Sequence, residues 1–431
     1  KSGLSLEDFF KYASHCLTGL SDLHKKGIIH RDIKPSNFLF SFSDVLTIGD
    51  LGIARLSERT RNTQTMFGTV GYAAAELFVH KEKASVQSDI FSLGVSFYEM
   101  LAARHPCSDK GAFYLSRDTI RRLITADFYP IEEIRTDLPK KLVKLIKDMT
   151  SLSPQSRPNS AEEVAKSMES IRKELSQNYI KQGNEFILQK NYEKAILSFQ
   201  KASKIYPVGV EAYNHIGLIY YAQNKLSLAI EQFNKALNTI EDKFSYNNRG
   251  LCHYYMQNYD EAIVDFSKAI QIDPKFAQAY NNRGLAYHKK REFYRAIQNF
   301  NKTLGLKKMD ASAYNNRGVT YSEQGEYEKA ILDFSRSIKI KSDDPESYFN
   351  RGLAYLRQGS YTCAINDFDK AIQYDKTDVQ SYYHKGLIYK KLQDYKKALE
   401  NFEQILKLRP DNEKIKKQIS YFQGKLNNFK I

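Results

Sequence analysis

The sequence predicts a mostly α-helical protein in two parts, a helical domain with a few short strands followed by an α-solenoid superhelix. Two observations support this prediction. From about residue 176 the chain repeats a pattern of small and aromatic residues about every 34 positions, whereas residues 1–175 show no such period. In the first part, the apolar runs Ile28-Ile29, Phe38-Leu39-Phe40 and Leu46-Thr47-Ile48 have the length of strands.

The 431 residues are enough for two or three domains, and a composition of 42% hydrophobic and 27% charged residues is typical of globular proteins. The cysteines show no CxxC or Cys/His ligand spacing, which argues against a disulfide framework or a zinc site. This cysteine usage indicates a reducing compartment, so we expect a cytoplasmic protein. No apolar run approaches the length of a membrane span, and we expect none. The cysteines are Cys16, Cys107, Cys252 and Cys363.

The net charge of +15 raises the question of a nucleic-acid partner. No arginine-rich tract and no nucleic-acid motif accompanies it, and lysines spread over the outer faces of many helices would give the same total. We therefore expect no nucleic-acid partner. Attraction to acidic proteins or phosphorylated sites fits the charge at least as well.

The first part opens with a helix at about residues 5–26, for which Ser5 and Asp8 are start signals. A polar loop follows the first short strand, and a second polar turn follows the third. The loop reads His30-Arg31-Asp32-Ile33-Lys34-Pro35-Ser36-Asn37, and the turn reads Asp50-Leu51-Gly52. Together they resemble the catalytic loop and metal-binding turn of Ser/Thr protein kinases. The resemblance covers residues 1–175 and implies a protein-kinase C-lobe, helical with short strands.

The resemblance implies that the loop and turn transfer the γ-phosphate of ATP to Ser or Thr of a protein substrate. Asp32 would orient the substrate hydroxyl and accept its proton, and Lys34 would stabilise the transferring phosphoryl group. Asn37 and Asp50 would bind the Mg²⁺ that bridges the phosphates, so that Lys34, Asn37 and Asp50 contact the cofactor. The alternative is that these residues only close a turn. Structural support would come from His30, Arg31 and Gly52.

Further downstream, Gly68-Thr69-Val70-Gly71-Tyr72 resembles the substrate-facing segment of Ser/Thr kinases. Thr69 would bond toward Asp32 and Lys34. The segment is therefore expected to lie against the catalytic loop.

Three charged residues are expected to act as scaffold rather than in the chemistry. Glu76 matches the glutamate of an Ala-Pro-Glu motif, although Ala74-Ala75-Glu76 lacks the proline. The resemblance implies a buried ion pair between Glu76 and Arg157, and it implies that Asp89 braces the backbone of the catalytic loop.

Between Asp50 and Glu76 the sequence resembles an activation loop. Arg31, which precedes the catalytic aspartate, would receive a phosphate placed on that loop. The alternative is that threonines are simply common in polar loops. The candidate threonines are Thr60, Thr63 and Thr65.

The 431 residues contain no Gly-rich phosphate loop, no strand lysine for the α and β phosphates and no helix glutamate to pair with it. Kinases hold ATP with a second lobe that carries these groups. The sequence therefore predicts that these residues alone are inactive or nearly so, whatever the activity of a longer protein.

Each repeat in the second part has an anchor glycine, an alanine twelve residues later and a phenylalanine four residues after that. This register resembles the tetratricopeptide repeat and gives seven units over residues 176–412. Each unit reads as two amphipathic helices, with glycine and alanine at their crossing and phenylalanine between them. Residues 413–431 would form a polar capping helix. The anchors are Gly183, Gly217, Gly250, Gly284, Gly318, Gly352 and Gly386.

The junction between the two parts is short. Ser160 followed by Glu163 fits a capping box, which predicts a helix from about residue 161 to 175. This helix runs almost directly into the first repeat without a Gly/Ser/Pro linker. We therefore expect a rigid connection.

An asparagine recurs two residues before the anchor glycine in four successive repeats, and an arginine follows each one. The asparagines resemble those of superhelical repeat proteins that grip extended peptides, so a protein or peptide ligand on the concave face is expected. They could equally bond locally within the repeat, or be inherited through duplication of the unit. The arginines could be solvated or pair with acidic groups of neighbouring repeats. The four asparagines are Asn248, Asn282, Asn316 and Asn350.

The leading interpretation is a Ser/Thr protein kinase whose repeats recruit substrate or partner proteins. The competing class is a non-catalytic adaptor that binds partners through the repeats. An adaptor has no need of Asp32, Lys34, Asn37 and Asp50, so their presence together favours the kinase.

Overall fold

The computed structural model describes residues 3–50, 55–56, 70–79, 83–109 and 116–428. The chain forms two compact units, residues 1–216 and 217–431, and each is described by itself. Within the described ranges, no helix is both long enough and apolar enough to span a bilayer.

The first unit begins with helix α1, Leu6–Lys25, whose N-terminus is capped by the Ser5 side chain. Two small antiparallel ladders follow. Strand β1 (Ile28–Ile29) pairs with β4 (Arg55–Leu56), and β2 (Phe38–Phe40) pairs with β3 (Leu46–Ile48). A 3₁₀ turn at Pro35–Asn37 leads into β2, so the polar loop predicted to be catalytic lies between β1 and β2.

Helix α3 (Val86–Ala102) lies at the centre of this unit, since 12 of its 17 residues are buried. Phe9 of α1 packs edge-on against Phe97 of α3, with 5.3 Å between ring centroids. A helix that is apolar on every side must be surrounded by other elements. The remaining helices of this part are α2 (Ala75–Val79), α3 (Val86–Ala102), α4 (Arg117–Thr125), α5 (Ile131–Ile134) and α6 (Lys140–Met149).

The junction is one continuous helix, α7, which runs from Ala161 to Leu188. Ser160 caps its start by accepting a hydrogen bond from the Glu163 backbone N–H at 3.1 Å. The prediction that the helix after Ser160 leads into the first repeat without a linker is therefore confirmed. The second helix of that repeat is α8, Tyr192–Ile205.

The first repeat shares the core of the helical domain. Ile171 of α7 and Ile205 of α8 belong to the same buried cluster as Phe9 and Leu17 of α1. The Arg172 Nε–H donates to the carbonyl of Ile205 at 3.2 Å. Residues on both sides of position 175 thus contribute to one hydrophobic core.

The rest of the chain is a succession of paired helices, of which α9 contains the boundary between the two units. The mostly helical fold class with a repeat solenoid is confirmed. The helices are α9 (Val210–Ala222), α10 (Leu226–Thr239), α11 (Lys243–Tyr255), α12 (Tyr259–Ile272), α13 (Ala277–Lys289), α14 (Phe293–Leu306), α15 (Ala311–Glu323), α16 (Tyr327–Ile340), α17 (Pro345–Gln358), α18 (Tyr361–Tyr374), α19 (Val379–Lys391), α20 (Tyr395–Leu408) and α21 (Glu413–Asn428).

Glycine, alanine and phenylalanine hold each helix pair together as the repeat pattern predicts. In the pair α13 and α14, Ala296 and Phe300 are completely buried. A Cβ added to Gly284 would lie 2.7 Å from Cε1 of Phe300, closer than side chains pack. The glycine is therefore required by the close approach of the two helices.

Helix α21 covers the apolar side of the last repeat. Phe422 is fully buried, and its ring centroid lies 5.2 Å from that of Phe402 on α20. Ile415 and Ile419 belong to the same buried cluster. The end of the solenoid core is thus shielded from water.

Candidate functional site

The loop between β1 and β2 is fixed by one buried carboxylate on α3. Asp89, which is 1% exposed, accepts hydrogen bonds from the backbone N–H groups of His30 at 2.8 Å and Arg31 at 2.9 Å. Its Oδ2 also lies 3.0 Å from Nε2 of His24. Arg31 has a φ of +72°, a conformation that costs a non-glycine residue free energy. The bonds to Asp89 offset that cost.

Three of the expected catalytic residues meet on this loop. Nζ of Lys34 lies 2.8 Å from Oδ2 of Asp32. The amide Nδ2 of Asn37 donates to the backbone carbonyl of Asp32 at 2.8 Å and to its Oδ2 at 3.1 Å. Asp32 and Asn37 are 7% and 8% exposed, so their side chains are held in place by packing as well as by these bonds.

The fourth expected residue, Asp50, follows a glycine that is tied to the same loop. The Gly49 N–H donates to the carbonyl of Asn37 at 2.8 Å, and the Gly49 carbonyl lies 3.1 Å from Nε2 of His30. Asp50 itself has a φ of +60° and is exposed. The loop therefore fixes the backbone from which the Asp50 carboxylate projects.

The oxygen chemistry of this loop suits Mg²⁺. Nδ2 of Asn37 is used for the bonds to Asp32, which leaves Oδ1 as the atom available to a metal. The Asp50 carboxylate would be the second oxygen donor. In the described part of the chain, His, Cys, Asp and Glu form no group of three or more that could hold a metal unaided. Mg²⁺ often takes one or two protein oxygens and completes its shell with phosphate and water.

Glu76 and Arg157 form a buried bidentate ion pair. Arg157 Nη1 and Nη2 donate to the two carboxylate oxygens of Glu76 at 2.6 and 2.9 Å. Arg157 is 2% exposed and Glu76 is 4% exposed. Arg157 also donates to the backbone carbonyls of Gln87, Ser151 and Leu152. The pair joins the start of α2 to the segment that precedes α7.

Five of the candidate site residues predicted from the sequence lie outside the described part of the chain. They are Gly52, Thr60, Thr63, Thr65 and Thr69. Their expected roles therefore stay predictions.

Sequence reasoning missed a polar group that anchors the segment after Thr69. The Tyr72 hydroxyl donates to Oε2 of Glu99, and Nε2 of His105 donates to the carbonyl of Gly71 at 2.8 Å. Burial raises the pKa of Glu99 and lowers the pKa of His105 to about 4. Nothing in the local sequence connects these residues, since the partners lie 27 and 34 positions apart.

The asparagine row forms hydrogen bonds between successive repeats. In each case Nδ2 donates to the side-chain oxygen of an asparagine one repeat earlier. Asn282 donates to Asn247 at 2.9 Å, and Asn316 donates to Asn281 at 3.1 Å. Asn350 continues the row with a bond of 3.2 Å to Asn315. The amide N–H groups of these three therefore join neighbouring repeats, whereas the alternative interpretation placed such bonds within one repeat.

The arginines that follow the asparagines pair mainly within their own repeat. Arg249 on α11 contacts both carboxylate oxygens of Asp265 on α12, at 2.8 and 2.7 Å. The carboxylate partner thus lies in the same repeat, which neither of the two alternatives for these arginines described. Neighbouring repeats are linked by a second bond, here from Arg249 Nη1 to Oδ1 of Asn234 on α10 at 2.6 Å. The same carboxylate pairing recurs for Arg317 with Asp333 and Arg351 with Asp367.

Two of the cavities lined by described residues lie away from the loop between β1 and β2. One of about 360 Å³ lies among the ends of α3 and α6 and the loop before α5, with Tyr98, Tyr129 and Ile146 in its wall. The other, of about 350 Å³, lies in the third repeat and is lined by Arg249, His253, Asp260, Glu261, Val264 and Asp265.

Family profiles match both parts of the chain. The protein kinase domain profile matches residues 1–168. Tetratricopeptide repeat profiles match residues 183–224, 210–242, 250–290, 277–308, 320–359, 354–393 and 379–412.

Curated relatives of the first part are protein kinases. The chain is 33% identical over 163 residues to the mouse serine/threonine-protein kinase Nek4, covering 38% of this chain and 18% of that protein. It is 32% identical over 190 residues to serine/threonine-protein kinase A of Synechocystis, covering 40% of this chain and 35% of that protein. It is 43% identical over 118 residues to the Arabidopsis thaliana lectin-domain containing receptor kinase VI.3, covering 26% of this chain and 17% of that protein. The chain thus spans well under half the length of these relatives.

Solved structures similar to the chain are tetratricopeptide repeat proteins. One from Parabacteroides merdae is 20% identical, with a TM-score of 0.46, and covers 58% of this chain and 99% of its own. YrrB, described as a protein with an unusual peptide-binding site, is 23% identical, with a TM-score of 0.36, and covers 42% and 95%. The profile matches to each part show a protein kinase domain at the N-terminus, followed by tetratricopeptide repeats.

Proposed function

We propose that the protein transfers the γ-phosphate of ATP to Ser or Thr residues of protein substrates. The observation that carries this proposal is the grouping of Asp32, Lys34 and Asn37 on a loop held by Asp89. Phosphoryl transfer requires mainly positioning and charge stabilisation. Because the Asp32 carboxylate and the Lys34 ammonium lie 2.8 Å apart, they can contact the substrate hydroxyl and the transferring phosphoryl group at the same time.

Each residue of the group has a distinct role in this proposal. Asp32 accepts the proton of the substrate hydroxyl, and Lys34 offsets charge on the phosphoryl oxygens. Asn37 keeps the Asp32 carboxylate in one orientation through Nδ2. Asn37 Oδ1 and Asp50 would hold Mg²⁺, which when bound neutralises the phosphates of ATP.

Residues 1–431 alone are proposed to have little activity, because ATP also needs the groups of a second lobe. Within these residues, Leu39 on β2 lies two positions after Asn37 and is 56% exposed, beside Phe40 at 58%. This apolar edge next to the polar loop is suited to the contacts that a second lobe and a bound nucleotide would make.

The repeats are proposed to recruit a protein or peptide, whether a substrate or another partner, on their concave face. Support comes from the regular helix pairs, which stack into an extended surface. The hydrogen bonds of Asn282, Asn316 and Asn350 use their N–H groups and leave their side-chain oxygens to be tested as peptide contacts. Domain boundaries of 1–175, 176–412 and 413–431 are part of the proposal.

The proposal can be tested in a protein in which an ATP-binding kinase lobe precedes residue 1. We expect phosphorylation of Ser/Thr peptides that requires Mg²⁺, and we expect Asp50→Asn to raise the Mg²⁺ concentration needed for half-maximal rate. An unchanged Mg²⁺ requirement would remove Asp50 from the metal site. Absence of any transfer, with partner binding by the repeats retained, would favour the adaptor.

A further inference from the structure

The basic residue before each anchor glycine in the last five repeats has a carboxylate partner in four of them. Arg249, Arg317 and Arg351 each contact both oxygens of an aspartate on the second helix of their own repeat. Lys385 instead pairs with Asp369, on the second helix of the preceding repeat. Each of these four cations thus pairs with one aspartate, which lies on the second helix either of the same repeat or of the preceding repeat.

Arg283 on α13 is the exception. Asn299 stands where the aspartate of the same repeat would be, and its Oδ1 accepts from Arg283 Nε at 2.9 Å. Ser267 stands where the aspartate of the preceding repeat would be, and its Oγ accepts from Nη1 at 2.9 Å. Both acceptors are neutral. Across the residues that the structure describes, Arg283 forms no ion pair, and burial lowers its pKa with no carboxylate to oppose the effect.

Nη2 of Arg283 is the guanidinium nitrogen for which the described residues supply no acceptor. In Arg249, Arg317 and Arg351 this nitrogen donates to the aspartate Oδ1 at 2.7, 2.8 and 2.7 Å. In Arg283 it has no acceptor among the described residues, and it is not one of the buried unpartnered atoms, so it reaches solvent. One N–H edge of the guanidinium therefore faces outward from a half-buried position.

The surroundings hold this guanidinium in place. Two of its nitrogens are fixed by Asn299 and Ser267, and its centre lies 5.6 Å from the ring centroid of Tyr280. Asn299 is itself fixed, because its Nδ2 donates to the carbonyl of Arg295 at 2.8 Å. A cation that is already oriented loses little side-chain entropy when an anion binds.

We infer that Arg283 binds an oxyanion presented by a protein partner, a carboxylate of an acidic side chain or the equivalent oxygens of a phosphorylated one. The partner group takes the place of the carboxylate that Asp265, Asp333 and Asp367 supply in the other repeats. The guanidinium fork matches both kinds of oxyanion. The inference rests on the proposed binding role of the repeats, and the net charge of +15 favours acidic partners in general.

The test uses the whole chain and three labelled ten-residue peptides, one rich in glutamate, one with glutamine in its place and one with phosphoserine. Binding is followed by fluorescence anisotropy at constant ionic strength. We expect the two anionic peptides to bind and the glutamine peptide not to bind. The anionic peptide that binds more tightly shows whether the partner's oxyanion is a carboxylate or a phosphate.

Two substitutions make the test specific. Asn299→Asp supplies the missing carboxylate internally, so the anionic peptides should bind about tenfold more weakly. Asp367→Asn gives Arg351, whose Nη1 already donates to Ser335 Oγ, the arrangement that Arg283 has now, so it should strengthen binding. Lys308→Gln, at an exposed lysine, lowers the net charge by the same amount as Asn299→Asp and should leave the affinity unchanged.

Thermal unfolding checks that each variant folds. If Asn299→Asp weakens binding no more than Lys308→Gln does, the inference is wrong although the binding role of the repeats stands. If no anionic peptide binds the unsubstituted chain at millimolar concentration, the inference is also wrong, and the repeats must then be tested with neutral peptides.

Discussion

Asp89 orders the loop between β1 and β2 although it would take no part in the proposed chemistry. Its carboxylate accepts two backbone N–H bonds from the loop and contacts His24 of α1, and it is almost completely buried. A loop residue with a positive φ, such as Arg31, persists only where neighbouring groups hold it. The positions of Asp32 and Lys34 therefore depend on a residue of the central helix.

His105 should make the stability of the chain depend on pH. Its Nδ1 accepts from the Cys107 N–H at 3.2 Å and its Nε2 donates to Gly71, so the folded protein holds the neutral ring. Burial lowers its pKa to about 4 from an ordinary value of 6.5. Between these values the unfolded chain binds more protons, so the stabilising contribution is present above pH 6.5 and is lost as the pH falls toward 4.

We expect the free energy of unfolding to fall by about 2 kcal/mol through His105 between pH 7.5 and pH 5. His105→Gln should remove that part of the pH dependence, as measured by urea unfolding at several pH values. The same slope in His105→Gln and in the unsubstituted protein would contradict the assignment.

The ion pair of Glu76 and Arg157 gives a second prediction at this scale. Arg157→Leu leaves the Glu76 carboxylate buried without its partner and should lower the free energy of unfolding by about 3–5 kcal/mol. Adding Glu76→Leu should recover part of the loss, because no unpaired charge remains. As a control, Asp118→Asn in the exposed pairs with Arg121 and Arg122 should cause no measurable change. Unchanged stability in Arg157→Leu would show that the pair does not form.

At the scale of the elements, the repeat helices could be predicted because each one repeats the same contact. Gly284 and Phe300 illustrate it, and their spacing recurs in every unit. The start of α7 was also readable from Ser160 and Glu163, because capping is local in sequence. The contacts of Gly71 and Tyr72 with His105 and Glu99 were not readable, because they depend on how α3 packs rather than on any local pattern.

Two glycines of one repeat should respond in opposite ways to the same substitution. Gly284→Ala places a Cβ 2.7 Å from Phe300 and should destabilise the chain by about 1–3 kcal/mol through overpacking. Gly305→Ala, in α14, meets nothing within 4 Å and should stabilise the helix by up to about 1 kcal/mol. Thermal unfolding of the two variants compares them directly. Equal effects would mean that α13 and α14 do not approach as closely as described.

One substitution in the asparagine row separates contact with a peptide ligand from contact with the neighbouring repeat. Asn282→Ala removes the donor to Oδ1 of Asn247, which is 1% exposed, so the free energy of unfolding should fall by about 1–2 kcal/mol. Peptide affinity is measured on the same variant with the unfolding curve. A loss of affinity with unchanged stability would show that Asn282 contacts ligand rather than the neighbouring repeat.

At the scale of the whole molecule, the first repeat and the helical domain share one helix and one core. The sequence predicts a boundary at about residue 175, because the repeat pattern begins there. A sequence shows such a change of pattern but not which residues share a core. In the structure α7 passes through that position without a break, and Ile205 of α8 packs in the same cluster as residues of α1. We propose that the first repeat stabilises the kinase part, in addition to its place in the array.

The proposed function depends above all on Asp32 as the residue that accepts the proton of the substrate hydroxyl during phosphoryl transfer. The most direct measurement is the rate of Ser/Thr peptide phosphorylation by the protein completed with an ATP-binding lobe, compared with its Asp32→Asn variant. Asparagine keeps the size of the side chain and cannot accept the proton, so we expect the rate to fall by about 10²-fold or more while the unfolding temperature stays the same. A variant that retains the full rate would show that the loop at Asp32 is not the catalytic site.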